Sequence, residues 1–402
     1  MRCVVLLVTF SFLATAAQSA EDASCGGCVD AAAVSVDATY TGEFWRAATG
    51  GLGIGNRYLD NLDLSVAVDG NEIAGLDGWR FFGSMLNNNG RPLANELPGA
   101  LQGVSNIETD PATRLYELWM QWRTASGRAS LRFGLYDLNS EFDSIETGQL
   151  FINPSHGIGP DFSQSGENGP SIFPMASLAL RWQLIEGPWT VQAAVLDAKP
   201  GDPDQPDRGG IALSSREGAL LVGEVDLQPE SGVRTAAGYW RYTAGFDDIA
   251  AGDDAGNPRS RRDNAGAYAI LESPMLLRRG EGRGLKLFAR TGVAQSHIND
   301  LSGYYGAGAV YSGLIDSAWQ NQFGFAVAVA ELGTPAWQRL GESGVVAARH
   351  EYAYEFTCRF DISEHIVVQA DVQYFDNPGM DATLKSSLVF GLRVEVAQHW
   401  QR

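Results

Sequence analysis

The chain has 402 residues, of which 19% are charged, with a net charge of -19 and a pI near 4.6. A polyanion of this kind offers no basic face to phosphates, which excludes nucleic acid as a partner. Glycine, at 47 residues, exceeds the usual share of roughly 7%, and no stretch carries the period of a long amphipathic helix, so the composition points to an all-β class. Lysine occurs only as Lys199, Lys286 and Lys385, leaving the positive charge almost entirely to arginine, whose flat fork suits hydrogen bonding and stacking in a confined site.

The amino end, MRCVVLLVTFSFLATAAQSAED, has one basic residue, a short apolar run and small residues before Glu21, and reads as a secretory signal peptide over 1–20, cut near Ser19 or Ala20. No later run holds about 18 consecutive apolar residues, so a membrane-spanning helix is excluded. A secreted soluble protein and an outer-membrane barrel both remain. Cys3 leaves with the signal, Cys25 and Cys28 form a Cys-Gly-Gly-Cys pair expected to be a local disulfide or idle, and Cys358 stands alone. Residues 21–33 are a short periplasmic segment.

From Val34 onward one theme repeats: about ten residues with apolar side chains at every second position, then a break. Sixteen strands are expected, near 34–44, 59–69, 77–86, 112–124, 128–137, 176–185, 188–197, 217–227, 233–243, 265–273, 283–295, 303–312, 320–329, 351–362, 365–375 and 386–396. The breaks alternate between long (45–58, 87–111, 138–175, 198–216, 244–264, 330–350) and short (125–127, 186–187, 228–232, 363–364). Tight turns at one rim and long loops at the other are the rhythm of an up-and-down barrel, with the long loops extracellular. The barrel is expected over 34–396, followed by a tail at 397–402.

Single strands show two faces. In Glu351–Asp361 one row is Glu351, Glu355, Thr357, Arg359 and Asp361, and the other is Tyr352, Tyr354, Phe356, Cys358 and Phe360. Sixteen strands enclose a lumen too wide for wall side chains to fill, so the polar row is expected inside and the apolar row against lipid. Trp122, Trp182, Trp189, Tyr374 and Trp400 are expected in the interfacial girdles.

The alternation stops longest after Tyr136. The stretch from 138 to 175 is rich in Gly, Pro, Asn and Asp and yet carries Phe142, Phe151, Phe162 and Phe173, too apolar for a disordered linker and too irregular for a helix. It is expected to fold into the barrel mouth and narrow it, with Phe142 and Phe162 holding it to the wall.

Here the residues also resemble a family. GLYDLNSEFDSIETGQLFINPSHGIGPDFSQSG followed by GPSIFP, together with VSNIETDPATRLYELWMQ, GYWRYTAGFDD, YEFTCRFDISEHIVVQADVQYFDNPG and LVFGLRVEV, closely resembles the carbohydrate-selective porins (OprB type) of Gram-negative outer membranes. The resemblance runs from about Tyr40 to Val396. It implies a sixteen-stranded transmembrane barrel, with loops folded into the lumen, that passes glucose and related small sugars by diffusion without a cofactor. It departs from the family at the carboxyl end, where AQHWQR follows the last strand in place of a terminal aromatic that serves the barrel-assembly machinery. Outer-membrane lipid and lipopolysaccharide are the expected surroundings, as a monomer or homotrimer.

A sugar pore needs charged and amide groups to replace water at the hydroxyls, and aromatic faces for the C–H side of the ring. Pore-lining candidates on the polar rows are Glu117, Trp119, Arg132, Tyr136, Arg181, Arg241, Arg290, Glu355, Arg359 and Asp371. Asp137, Asn139, Glu141, Asp143, Asp161, Gln164 and Asn168 are candidates from the long loop, where Asn and Asp also serve as turn formers. A non-selective or ion-preferring porin is the second reading. An outer-membrane barrel hydrolase is the third, but His156, His297, His350, His365 and His399 stand in no triad or metal spacing.

Overall fold

The computed structural model describes residues 33–201, 218–253 and 256–402, so the signal peptide, Cys25 and Cys28 lie outside the described residues. Sixteen strands alternate in direction around one closed sheet. They are β1 (Val34–Thr49), β2 (Gly55–Asp69), β3 (Trp79–Gly90), β4 (Ala112–Arg123), β5 (Ala129–Tyr136), β6 (Ser177–Glu186), β7 (Trp189–Asp197) and β8 (Ala219–Leu227). The second half comprises β9 (Arg234–Tyr242), β10 (Ala265–Glu272), β11 (Arg283–Ala294), β12 (Leu301–Ser312), β13 (Gln320–Leu332), β14 (His350–Asp361), β15 (Ile366–Asp376) and β16 (Ser387–Gln401). The last strand pairs with the first from Ser35↔Gln401 to Thr49↔Leu388. Closure leaves no edge of unpaired N–H and C=O groups, the condition a sheet must meet in hydrocarbon.

Each expected strand is present. The last runs further than hydropathy suggested: Ala397–Gln401 pair with Ser35–Thr39 and are wall, not tail. Alternation there passes through polar residues, with His399 turned inward to Asp37 (2.5 Å) and Trp400 outward.

The short-turn rim holds both termini of the sheet. Its tightest connection, Gly187-Pro188 between β6 and β7, needs the positive φ of Gly187 (57°). The 70–78 turn contains a helical turn, Gly70–Ala74, that the strand pattern did not announce; Asp69 caps it by accepting from the Asn71 and Glu72 amides, and Gly75 ends it. A short segment, Leu276–Gly280, pairs with the foot of β11. The opposite rim carries the long loops L2 (91–111), L3 (137–176), L5 (243–264), L7 (333–349) and L8 (377–386), L4 after Asp197 (described at 198–201 and 218), and the short L1 (50–54) and L6 (295–300); the long break expected at 45–58 shrinks to five residues because both flanking strands continue into it.

On β14 the polar row faces in and the aromatic row faces out: Glu351, Glu355 and Thr357 are buried while Phe356 is exposed. The outward tryptophans Trp122, Trp182, Trp189 and Trp400 are exposed at the short-turn end, and Tyr239, Tyr305 and Tyr374 at the long-loop end. These are the two interfacial girdles.

On β9 to β11 the inner row is largely apolar as well. There Trp240, Tyr242, Tyr268, Ile270 and Phe288 face inward and are buried, while the alternating outward positions include Ala237, Ala267 and Ala269. The cause is L3, which lies inside the barrel against this wall. Phe142 and Phe162 are fully buried, and Phe162 stacks on Trp240 with ring centroids 5.0 Å apart and planes 6° from parallel. Each such side chain contributes about 1.5–3 kcal/mol by burial. L2 also folds inward: Leu93, Leu97 and Val104 join Trp45, Leu59, Tyr304 and Phe375 in a second apolar cluster.

Candidate functional site

Irregular loops inside a barrel must find partners for their backbone amides. The wall supplies carboxylates. Glu224 on β8 accepts from the Asp143 amide (2.9 Å), Glu272 on β10 from Thr147 (2.6 Å), and Glu355 on β14 from Ile152 and Asn153 (2.6 and 3.0 Å). Glu351 does the same for Leu101 and Gln102 of L2, each at 2.9 Å. Amides then gain charge-assisted bonds and the wall charges lose their isolation. Amide groups add to this: Gln369 donates to Leu150 O (2.7 Å) and Gln373 to Val104 O (2.9 Å).

One arginine holds L3 at two places. Arg290 donates from Nε and Nη2 to Asp143 (3.0 and 2.6 Å) and also bonds Asp161, with Tyr268 and Tyr304 rings 5.5 and 5.1 Å from its guanidinium carbon. All three charged side chains are fully buried. The fit depends on Gly159 and Gly292, because a Cβ at either would overlap the Arg290 guanidinium or the Asp161 carboxylate. Gly159→Ala is therefore expected to cost about 1–3 kcal/mol by overpacking, read as a lower temperature for the mobility shift of the folded barrel on a detergent gel.

Across the lumen, L3 meets β4 to β6. Glu141 receives Arg181 through both carboxylate oxygens (2.7 Å each) and pairs with Arg132 at 3.4 Å. Against the opposing effect of burial, these two guanidinium groups hold the Glu141 carboxyl below its usual range. Gln121 accepts from both arginines, Ser130 accepts from Arg181 (2.6 Å), and Tyr136 donates to Glu141 (2.5 Å). The Arg132 guanidinium lies 4.0 Å from the centroid of the Trp119 ring, which stacks on Phe82, and Trp119 Nε1 donates to Glu117 (3.2 Å). The result is a belt of two cations, one loop carboxylate, amides and an aromatic face.

The expected site residues fall into distinct roles. Glu117, Trp119, Arg132, Tyr136 and Arg181 form this belt. Arg290, Asp143 and Asp161 form the L3 clamp. Glu355 and Asp371 are buried behind L3, where Asp371 accepts from Gln373 (3.0 Å) and fully buried His156 stands 3.6 Å from Glu355. Burial pulls His156 down to about 3 from the usual imidazole range, so it is neutral there. Arg359 faces the lumen with Asp361 (3.0 Å) and Glu395 (3.8 Å).

Arg241 is a correction: it sits on the outward row, because its neighbours Trp240 and Tyr242 are drawn inward by L3. In the loop, Asp137 caps the turn that begins L3 through the Asn139 amide (2.9 Å), and Asn139 bonds the carbonyls of Phe142 and Asp143 (3.1 Å each). Gln164 ties L3 to L2 at Leu101 O (2.7 Å), and Asn168 ties it to L4 at Pro200 O (3.3 Å). Sequence reading missed Gln121, Glu224, Glu272 and the inward course of L2. Glu272 carried a usable signal, the lone carboxylate of an otherwise apolar strand, whereas Glu224 shares its strand with Asp226.

A closed sixteen-stranded barrel with an apolar outer belt, a polar lumen and a loop clamped across it defines an outer-membrane porin, a non-enzymatic channel. Residues 55–397 match the carbohydrate-selective porin, OprB family, and the chain belongs to that family. It is 24% identical over 384 residues to Porin B of Pseudomonas aeruginosa, covering 84% of this chain and 81% of that protein. The high-pH structure of Pseudomonas putida OprB superposes with a TM-score of 0.81 at 23% identity, over 91% of this chain and 94% of the other. The low-pH structure gives 0.58 at 17% identity, over 91% and 93%.

Proposed function

We propose that this barrel conducts neutral carbohydrates, glucose and related small sugars, down their gradient and selects them at the L3 constriction. The observation that carries the reading is the mixed sign of the belt: Arg132 and Arg181 share Glu141 beside the Trp119 face. A ring of one sign would attract one class of ion. Charges of opposite sign leave a weaker net field than a ring of one sign and present both donors and acceptors to hydroxyls. Family membership supports the same assignment. Arg132 and Glu141 are the sugar contacts in this reading, with Arg359 further along the lumen, while buried Trp119, Tyr136 and Arg181 and half-buried Glu117 hold them in place and Asp371 stays behind L3.

Liposome swelling with glucose, a disaccharide and a charged solute of similar size tests it. Glucose is expected to enter fastest; equal rates for all three would leave a general, unselective porin. Deleting Asn139 to Asn168 is expected to raise single-channel conductance and flatten the discrimination among the three, since that segment carries both the belt carboxylate and the clamp. Unchanged flux would remove L3 from the permeation path. In the same reading residues 1–20 are removed on export, so amino-terminal sequencing of the membrane protein should begin near Ala20 or Glu21.

A further inference from the structure

The barrel closes where its first and last strands meet, and this seam differs from every other strand pair. Neighbours elsewhere follow one another in the chain, so the turn or loop between them limits their register, whereas β1 and β16 lie at opposite ends of the sheet and are held only by what passes between them. A slip of two residues would keep the apolar row outside and the polar row inside, so the two-faced pattern alone does not forbid it. Something on the seam must.

Glu43 of β1 and Arg393 of β16 are directly opposed on the inner face, and both are buried. Arg393 donates from Nε to Glu43 Oε1 (2.7 Å), and its Nη2 pairs with the same carboxylate. L2 covers the pair and bonds both of its members: Ser105 Oγ donates to Glu43 Oε2 (2.7 Å), and Asn106 Oδ1 accepts from Arg393 Nη2 (2.5 Å). Trp45 Nε1 also donates to Glu43 (2.6 Å), and its ring lies across the seam on Gly391, where a Cβ would overlap it.

Sliding β16 by two residues in one direction would bring Glu395 opposite Glu43 and Arg393 opposite Trp45. In the other direction Glu43 would meet Gly391, and Arg393 would meet Thr41. The first sets like charges face to face, and the second leaves a buried carboxylate and a buried guanidinium without each other. A stranded buried charge weighs against either register by more than about tenfold.

We infer that Glu43 and Arg393 are the register lock of the closing seam, and that L2 docks on the lock only when it is correctly engaged. The consequence reaches the constriction. Asn106 N donates to Ile152 O (2.9 Å) and Asn153 Nδ2 to Gly103 O (3.0 Å), so L2 carries the seam register into L3. A slipped seam changes the stagger of the barrel, and with it the width, and removes the seat of L2. Glu43 and Arg393 are thus positioning residues for the pore.

Crosslinking across the lipid face of the seam tests the lock, on the full chain with Cys25, Cys28 and Cys358 changed to serine. Phe44→Cys with Leu392→Cys reports the observed register, in which those residues are opposed, and Phe44→Cys with Phe390→Cys or Val394→Cys reports the two slips. Opposed Cα atoms stand about 5 Å apart, within disulfide reach, and a partner two residues off stands at about 8 Å, outside it. The first pair should crosslink more than about tenfold better than the others. Glu43→Leu with Arg393→Met keeps the volume while removing both charges; it should still fold, raise the slipped crosslinks about tenfold, and split the single-channel conductance into several levels. Ser105→Ala with Asn106→Ala, confined to a loop, should raise the slipped crosslinks by a smaller factor and guards against misfolding of the wall variant. Slipped pairs that crosslink as well as the opposed pair in the parent chain, or an unchanged register in every variant that folds, would overturn the lock. Neither result touches the sugar reading, which liposome swelling decides separately.

Discussion

Replacing Arg290 with alanine is expected to release L3 from the wall, raise single-channel conductance severalfold and erase discrimination between glucose and a disaccharide. The guanidinium is the counter-charge for Asp143 and Asp161, and all three are fully buried. Removing one member of a buried ion pair typically costs about 3–5 kcal/mol, because the partner charge is left in a poor solvent. Here two carboxylates are stranded, and the cheapest relief is for L3 to swing them into water. The remaining clamps from Glu224, Glu272 and Glu355 hold backbone amides and are indifferent to that charge imbalance. Planar-bilayer recording reads the conductance, and unchanged conductance would show that those amide clamps fix L3 unaided. Adding Asp143→Asn and Asp161→Asn should recover thermal stability without restoring the narrow pore, since the bidentate geometry stays lost.

Glu141→Gln is expected to turn the constriction toward anions. Its carboxylate is the shared partner of Arg132 and Arg181, and the glutamine keeps the shape while removing the charge. Within about 4 Å of an uncompensated guanidinium in a watery lumen an anion gains and a cation loses about 1 kcal/mol each, which predicts a cation-to-anion permeability ratio lower by up to about 30-fold. Reversal potentials under a salt gradient measure the shift. Glucose flux should fall less than ion preference changes, because the glutamine keeps a hydrogen-bonding group of the same shape between Arg132 and Arg181. A reversal potential equal to that of wild type would place the belt off the ion path.

The barrel was legible because hydrocarbon imposes a strict rule on every strand. A polar side chain facing lipid is costly, so the period of two survives wherever the wall meets membrane, as Tyr352 to Phe360 shows on β14. The same rule failed where lipid was not the neighbour on both counts. On β9 the large residues Trp240 and Tyr242 point inward, and Arg241 was assigned to the lumen because the row was judged by polarity alone. The last strand was cut short for a related reason: beyond Val396 the residues grow polar at the rim, yet their backbone pairing with β1 continues to Gln401.

By itself the sequence determined the strand count, the alternation of long and short connections, the outward greasy row and the presence of an aromatic-bearing loop after Tyr136. These follow from local periodicity and from side chains meeting lipid, which each strand encodes alone. Only the tertiary structure decided that L2 enters the lumen beside L3, that Arg290 joins two aspartates 18 positions apart in one loop, and that Glu141 lies between Arg132 and Arg181. Those contacts depend on the curvature of a closed wall, which brings β4 and β11 to opposite sides of the same loop, and no local pattern records where a loop built of single helical turns and bends comes to rest.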